Sequence, residues 1–428
     1  MPLVHWVEGG YACSAHWRSE RGAPPPRRVV LADDTLTAAM AQRLASEGTA
    51  MLWRGDFHNA RQLLQALARR IDQPKGPRKG SSRQEQTIVT IQAQEAKKAS
   101  NCGPDGLAVP PSPTSPTSPA EANAPAAAFH RHRQAQSQRA RLLGMVLLSF
   151  GPDHGLALRR APDVRQACAQ GWGEPTADAT GCVASLRELL ALTSAHEWAR
   201  LGVEVSALGE APLNRIHPRY GVFSPVRGEY VALVAQAPLP GAADSLCAFD
   251  IGTGSGVLAA VLARRGVAQV VATDLDERAL ACAQANLQRL APGVQLLRAD
   301  LFPPGRAHLV VCNPPWLPAR ATSPVERAVY DEDSRMLRGF LAGLADHLLP
   351  GGEGWLIMSD LAEHLGLRRP HELADWVAAA GLRVVARLDA RPTHRKAADT
   401  SDPLHAARAA EVTSLWRLAV ADGGRGAP

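Results

Sequence analysis

No apolar stretch in this chain of 428 residues reaches the length of a membrane span, so a membrane-spanning helical protein is excluded as an expectation. The opening Met-Pro-Leu-Val-His-Trp lacks the basic and apolar regions of a signal peptide, and a cytoplasmic location is expected by default. Cysteine is sparse and unpaired in pattern. The seven cysteines (Cys13, Cys102, Cys168, Cys182, Cys247, Cys282 and Cys312) are odd in number, widely scattered and without a Cys-x-x-Cys pair. They read as reduced and structural, with neither a redox dithiol nor a zinc site, and no metal is expected. Charge excess is small as well. A net charge of +6 and a pI near 9.1 are compatible with an anionic partner but do not establish nucleic-acid binding.

What is present falls into segments. Residues 1–73 read as a mainly helical segment: a first helix is expected near Asp34-Thr35, and a second pattern of apolar residues at helical spacing covers Leu63, Leu64, Leu67 and Ile71. Residues 74–140 read as a disordered Pro/Ser/Ala-rich linker with a basic end. Its part from 74 to 128 has no aromatic residue and few large aliphatics, too little to fold alone. The basic end (His130-Arg131-His132-Arg133, Arg139, Arg141) reads as the solvated end of a helix in preference to an arm for phosphates. Residues 141–240 are expected to form an accessory, substrate-recognising region.

From 241 to 422 the pattern becomes regular. Strands are expected at 246–252, 268–274, 294–300, 308–313 and 354–359, with helices at 256–265, 277–288, 334–347 and 371–380 and two further runs at 382–389 and 412–420. Such alternation with short connections implies an α/β, doubly wound, mostly parallel, Rossmann-like sheet.

Two motifs carry chemistry. In Asp250-Ile-Gly252-Thr-Gly254-Ser-Gly256 an apolar strand ends in a carboxylate, and alternate glycines let a turn pass close under a ligand before a helix opens. A dinucleotide fingerprint would need its third glycine at Val257, so an NAD enzyme is disfavoured and a ligand without a pyrophosphate fits better. Asp250 can hold a cofactor ammonium or order the loop. Asp274, at the next strand end, is placed to bind ribose hydroxyls, whereas Asp276 reads as a helix cap. Asp300 can accept the adenine amino group. The second motif is Asn313-Pro314-Pro315-Trp316, next to the switch point of the sheet, where Asn313 also borders the cofactor. A planar nitrogen with a delocalised lone pair is a poor nucleophile. The Asn313 side-chain oxygen and the Pro314 carbonyl can accept its two N–H bonds and aim it at an activated methyl, with Pro315 and Trp316 against the planar substrate group. Together the motifs point to methyl transfer from S-adenosylmethionine, with Asn313, Pro314 and Trp316 as the catalytic set.

In sequence order and spacing, these residues resemble class I S-adenosylmethionine-dependent N-methyltransferases of the small-domain type, over roughly residues 216–420. The resemblance implies a seven-stranded sheet with a reversed final hairpin, which 382–389 and 412–420 suit. Tyr220-Gly221-Val222-Phe223-Ser224 is similar to an element of ribosomal RNA guanine-N2 methyltransferases; Asn313-Pro-Pro-Trp-Leu-Pro318 and Tyr330-Asp-Glu-Asp-Ser-Arg-Met-Leu are closer to the glutamine-N5 methyltransferases of release factors. Trp316 stands where Tyr or Phe is more usual. A loop after 382–389 holds Arg391, His394, Arg395, Lys396, His405 and Arg408, and Arg395 is the candidate for contact with a phosphate or an acidic surface. The expected function is methylation of an exocyclic amine of an RNA base, ahead of a release-factor glutamine; a non-catalytic cofactor-binding regulator is the remote alternative.

Overall fold

The computed structural model describes residues 1–73, 124–176, 180–393 and 399–421. Arg395 and the larger part of the expected linker, 74–123, lie outside them. The two largest hydrophobic clusters lie in two different lobes.

The first lobe corrects the mainly helical reading of the N-terminal region. Strands β1 (Leu3–Glu8), β2 (Tyr11–Trp17), β3 (Arg28–Ala32), β4 (Thr49–Trp53), β5 (Val146–Phe150) and β6 (Cys182–Ser185) form one mixed sheet in the order β1-β2-β6-β5-β4-β3. The physical reason is burial. All five residues of β4 are buried, so this run has no polar face to betray a period of two and is as compatible with a helix as with a strand. Helices α1 (Ala38–Ser46) and α2 (Phe57–Asp72) pack on the sheet; Thr37 caps α1 by accepting the Met40 N–H, a short way past the expected start.

The basic end of the expected linker is helical, as read, but belongs to a packed helix and not to a disordered segment. Residues Ala124–Leu143 form helix α3, about 30 Å long at 1.5 Å per residue. Its two ends are anchored in different lobes. Phe129 is buried among Leu317, Leu361, Leu365 and Leu404, while Leu142 and Leu143 enter the first core. Arg133 lies 4.2 Å over the Tyr330 ring and donates to the Arg320 carbonyl at 2.8 Å, and Arg139 pairs with Asp72 at 2.7 Å. Phe129→Ala is therefore expected to cost about 3–5 kcal/mol in urea unfolding, the cost of deleting a buried aromatic that joins two packed bodies.

The expected accessory region splits between the lobes. Helices α4 (Arg165–Trp172) and α5 (Leu186–Leu201) complete the first core, whereas the ribbon β7 (Val203–Glu204) with β8 (Arg215–Ile216) and helix α6 (Glu229–Gln236) join the second.

The second lobe has the expected seven-stranded sheet. Its strands are β9 (Cys247–Ile251), β10 (Gln269–Asp274), β11 (Gln295–Arg298), β12 (Ala307–Cys312), β13 (Leu348–Ser359), β14 (Leu382–Ala390) and β15 (Thr413–Val420). They lie in the order β11-β10-β9-β12-β13-β15-β14, and all pairs are parallel except those of β15 with β13 and β14. Helices α7 (Val257–Arg264), α8 (Glu277–Leu290), α9 (Arg335–His347), α10 (Leu361–His364), α11 (Glu372–Ala379) and α12 (His405–Ala410) complete the lobe. The chain order reverses between β9 and β12, so the carboxyl ends of these two strands open a crevice. Because β14 runs parallel to the central strands, the segment after it leaves the sheet on that same side. Among the described residues, no helix is long and apolar enough to cross a membrane.

Candidate active site

The glycine turn follows β9, and its shape is set from behind. The Asp250 carboxylate is buried, accepting the Thr253 hydroxyl at 2.6 Å and the Ala259 N–H at 3.0 Å through one oxygen. Of the two roles open to Asp250 in the sequence, these contacts are those of loop ordering. Gly256 has a left-handed φ of 83°, and a Cβ there would press on Leu287 and Ala283 of α8; its hydrogen lets the helices close. Asn286 of α8, which the sequence did not mark, ties the turn down by donating to the Ser255 carbonyl at 3.0 Å and accepting the His217 N–H at 2.9 Å.

Burial pushes the Asp250 carboxyl up to about 6, with neighbouring Asp274 adding to the rise and the two donors opposing it. The folded value lies above the ordinary 3.8, so the folded chain keeps this proton while the unfolded chain loses it, and stability falls as pH rises from about 4 to about 6. Asp250→Asn keeps an acceptor and removes the titration. Urea unfolding should show its stability relative to the parent rising by on the order of 3 kcal/mol between pH 4 and pH 7.

In front of the turn lies a cleft of about 2870 Å³ between the two lobes. It brings together Gly252, Gly254, Asp274, Asp300, Asn313, Pro314, Pro315 and Trp316, with Asp250 and Gly256 set behind its wall. Gly254, at φ 55°, has nothing within 4 Å of where a Cβ would stand. The Gly254 N–H donates to one oxygen of Asp274 at 3.0 Å and the Asp276 N–H to the other at 2.9 Å, so the carboxylate is fixed with acceptor capacity to spare. Burial raises the Asp274 pKa above the usual carboxylate range. Asp276 caps α8 as expected, accepting the Arg278 N–H at 2.8 Å. Asp300 is exposed and pairs with Arg335 at 3.2 Å, a surface contact of small energetic weight.

Across the switch point, Asn313 directly follows β12. Pro314 is buried and Asn313, Pro315 and Trp316 are half-buried. The segment is pinned downstream, where the Leu317 N–H donates to the Val329 carbonyl at 3.1 Å and the Asp331 N–H to the Leu317 carbonyl at 2.9 Å. Asp331 in turn accepts the Met336 and Leu337 N–H groups at 3.0 and 3.2 Å, capping α9. The Trp316 indole N–H donates to the Asn313 side-chain oxygen at 3.0 Å, and the Arg227 guanidinium lies 5.0 Å over the indole ring.

The methyltransferase small domain family matches residues 215–368, the stretch that holds the glycine turn, Asp274, Asp300 and the Asn-Pro-Pro-Trp edge. The second lobe has the fold of the class I S-adenosylmethionine-dependent methyltransferases and is similar to them in sequence. A release factor glutamine methyltransferase from Bordetella pertussis is 33% identical over 150 residues, covering 29% of this chain and 55% of that protein. A ribosomal protein L11 methyltransferase from Pelotomaculum thermopropionicum is 46% identical over 69 residues, covering 15% of this chain and 22% of that protein. The chain thus spans about half the length, or less, of these relatives. A putative RNA methyltransferase structure from Pyrococcus horikoshii is 18% identical with a TM-score of 0.34, covering 54% of this chain and 99% of that one.

S-adenosylmethionine is the cofactor of this domain, and the residues present fit it. The open side of Gly254 is a cradle that any side chain would fill, and Asp274 offers fixed acceptors beside it. Among the described residues, no group of three or more His, Cys, Asp or Glu side chains comes together as a metal would require.

Proposed function

We propose that the protein is an S-adenosylmethionine-dependent N-methyltransferase that methylates an exocyclic amino nitrogen of a nucleobase in ribosomal RNA. Gly252 and Gly254 would seat the cofactor, Asp274 would hold its ribose and Asp300 its adenine. Bound S-adenosylmethionine supplies a methyl group made electrophilic by its sulfonium.

The chain's own residues do the rest. The Asn313 side-chain oxygen and the Pro314 carbonyl accept the two N–H groups of the planar amine, which holds its nitrogen towards the methyl and stabilises the positive charge that grows there. No strong base is needed, because the extra proton is acidic once transfer has occurred and passes to water. Proline at 314 and 315 fixes the carbonyl direction. Trp316 offers one face of its ring to the base, which has to be unstacked before it can enter.

The observation that carries the choice of RNA is a set of arginines without ion-pair partners on a cleft wall that also bears acidic side chains. Arg21, Arg187 and Arg320 line the cleft and have no ion pair among the described residues. Arg187, half-buried in the first turn of α5, has its pKa lowered by burial and by the neighbouring charges of Arg21 and Arg139, against a smaller opposing effect of Tyr220 and Glu326. A phosphate would relieve that repulsion, and a polynucleotide supplies one per residue. A second reading, a glutamine amide of a release factor, is favoured by the names of several relatives; its amide would use the same two acceptors.

The test is incorporation of labelled S-adenosylmethionine into extract from cells lacking the gene, where unmodified substrate accumulates. Loss of the labelled product on RNase treatment is expected. Loss on protease treatment alone would replace RNA by the glutamine reading, and no incorporation in either fraction would overturn both.

A further inference from the structure

Behind the acceptor pair lies a set of contacts that the chemistry above does not use. Arg227, just ahead of α6, is largely buried and reaches two buried carboxylates. Its Nε donates to Glu229 at 2.7 Å and its Nη2 to Glu411 at 3.0 Å. The Ser359 hydroxyl donates to the same Glu411 oxygen at 2.7 Å. The guanidinium held in this fork covers one face of Trp316, whose indole N–H reaches Asn313.

We propose that Arg227 and Trp316 are positioning residues that lock the Asn313 amide with its oxygen, not its NH2, turned to the substrate nitrogen. An indole N–H is a donor only, so the group facing it has to be an acceptor. A rotation of the Asn313 amide by half a turn would put its NH2 in the oxygen's place, turning N–H donors towards the indole N–H and the incoming amine where each needs an acceptor. Trp316 therefore selects the productive rotamer, and the second lone pair of the same oxygen remains for the substrate. The lock needs an indole held at a fixed angle. Packing secures one part of this, since Trp316 touches the cores on both sides of the sheet. Arg227 secures the rest by closing one ring face, which leaves the other to the planar substrate. Lysine cannot replace it, because a single ammonium cannot span Glu229 and Glu411 while lying flat on the ring. A Phe or Tyr ring in place of Trp316 would stack but would lack this N–H.

The proposal rests on the N-methyltransfer reading only for its kinetic consequence, so its test has two arms. In the first, the indole N–H signals of the full-length protein, labelled with 15N at its nine tryptophans and saturated with S-adenosylhomocysteine, are followed during exchange into D2O. The signal absent in Trp316→Phe identifies Trp316. Its exchange is expected to be slow, and at least about tenfold faster in Asn313→Ala and in Arg227→Lys, as loss of one hydrogen bond would give. An exchange rate equal to that of an exposed indole in the parent protein would overturn the lock.

In the second arm, methylation of total RNA from cells lacking the gene is followed at saturating cofactor. Trp316→Phe, which keeps a ring against both cores, should lower kcat about tenfold with KM unchanged. Adding Arg227→Lys to it should cost little more, because Arg227 acts through the missing group. Full kcat in Trp316→Phe, or additive losses in the double variant, would overturn the proposal. If RNA accepts no methyl from the parent protein, the substrate reading fails, and the exchange arm still decides the lock.

Discussion

Asn313→Ala is expected to lower kcat by about 10²–10³-fold, the loss seen when one preorganised polar contact is taken from a transition state. In the proposed reaction Asn313 supplies one of the two acceptors for the reacting nitrogen, and Pro314 alone would not fix its direction. The residue is half-buried at the end of β12, and its side chain bonds to Trp316 instead of to the glycine turn. Cofactor affinity should therefore change little, and calorimetry with S-adenosylhomocysteine should give a Kd within about twofold of the parent, a difference of roughly 0.4 kcal/mol. A Kd raised as much as kcat is lowered would move Asn313 from the substrate side of the site to the cofactor side.

Gly254→Val should produce the opposite separation, with binding lost first and turnover following from it. Position 254 has a φ of 55°, where a β-branched residue is strained by about 1–3 kcal/mol. Its Cβ would also point into the open space proposed to receive the cofactor. Together these should weaken S-adenosylhomocysteine binding by roughly 100-fold or more. The melting temperature without ligand should fall far less than the ligand-induced rise does. Binding retained at the parent's affinity would remove the glycine turn from the cofactor site.

The two lobes differ in how much of them the sequence betrays, and the difference has physical causes. Strands of a parallel sheet are largely buried on both faces, so β9, β10 and β12 are mostly apolar runs with Asp250, Asp274 and Asn313 at or next to their carboxyl ends. The start of β13 was hidden because Pro350-Gly351-Gly352 has the composition of a turn, yet it continues the strand. In the first lobe the runs are short, and β3 and β4 join through a helix and long-range pairing that no local pattern carries. The Gly9-Gly10 pair between β1 and β2 was a legible hairpin signal that the helical reading passed over.

The same division holds at the site. The structure brings Gly254, Asp274, Asn313 and Trp316, each marked in the sequence, to one cleft. The exceptions are instructive, since Asp250 and Gly256 belong to the same motif but serve the turn from behind. Arg227 was not legible, because its partner Glu411 lies 184 residues away and only the fold brings them together. The basic end of the expected linker gave no sign of spanning two lobes, since α3 alternates charged and small residues with little amphipathic order and is held by Phe129 and the Leu142-Leu143 pair at its ends.

The most direct measurement is the chemical position of the transferred methyl. RNA from cells lacking the gene, methylated by the purified protein, would be digested to nucleosides and resolved by mass spectrometry beside RNA treated with Asn313→Ala. The expected result is one nucleoside gaining a methyl on its exocyclic amino nitrogen, absent with the variant. A methyl on a ring carbon, a ribose oxygen or a ring nitrogen would contradict the role given to the Asn313 and Pro314 acceptors.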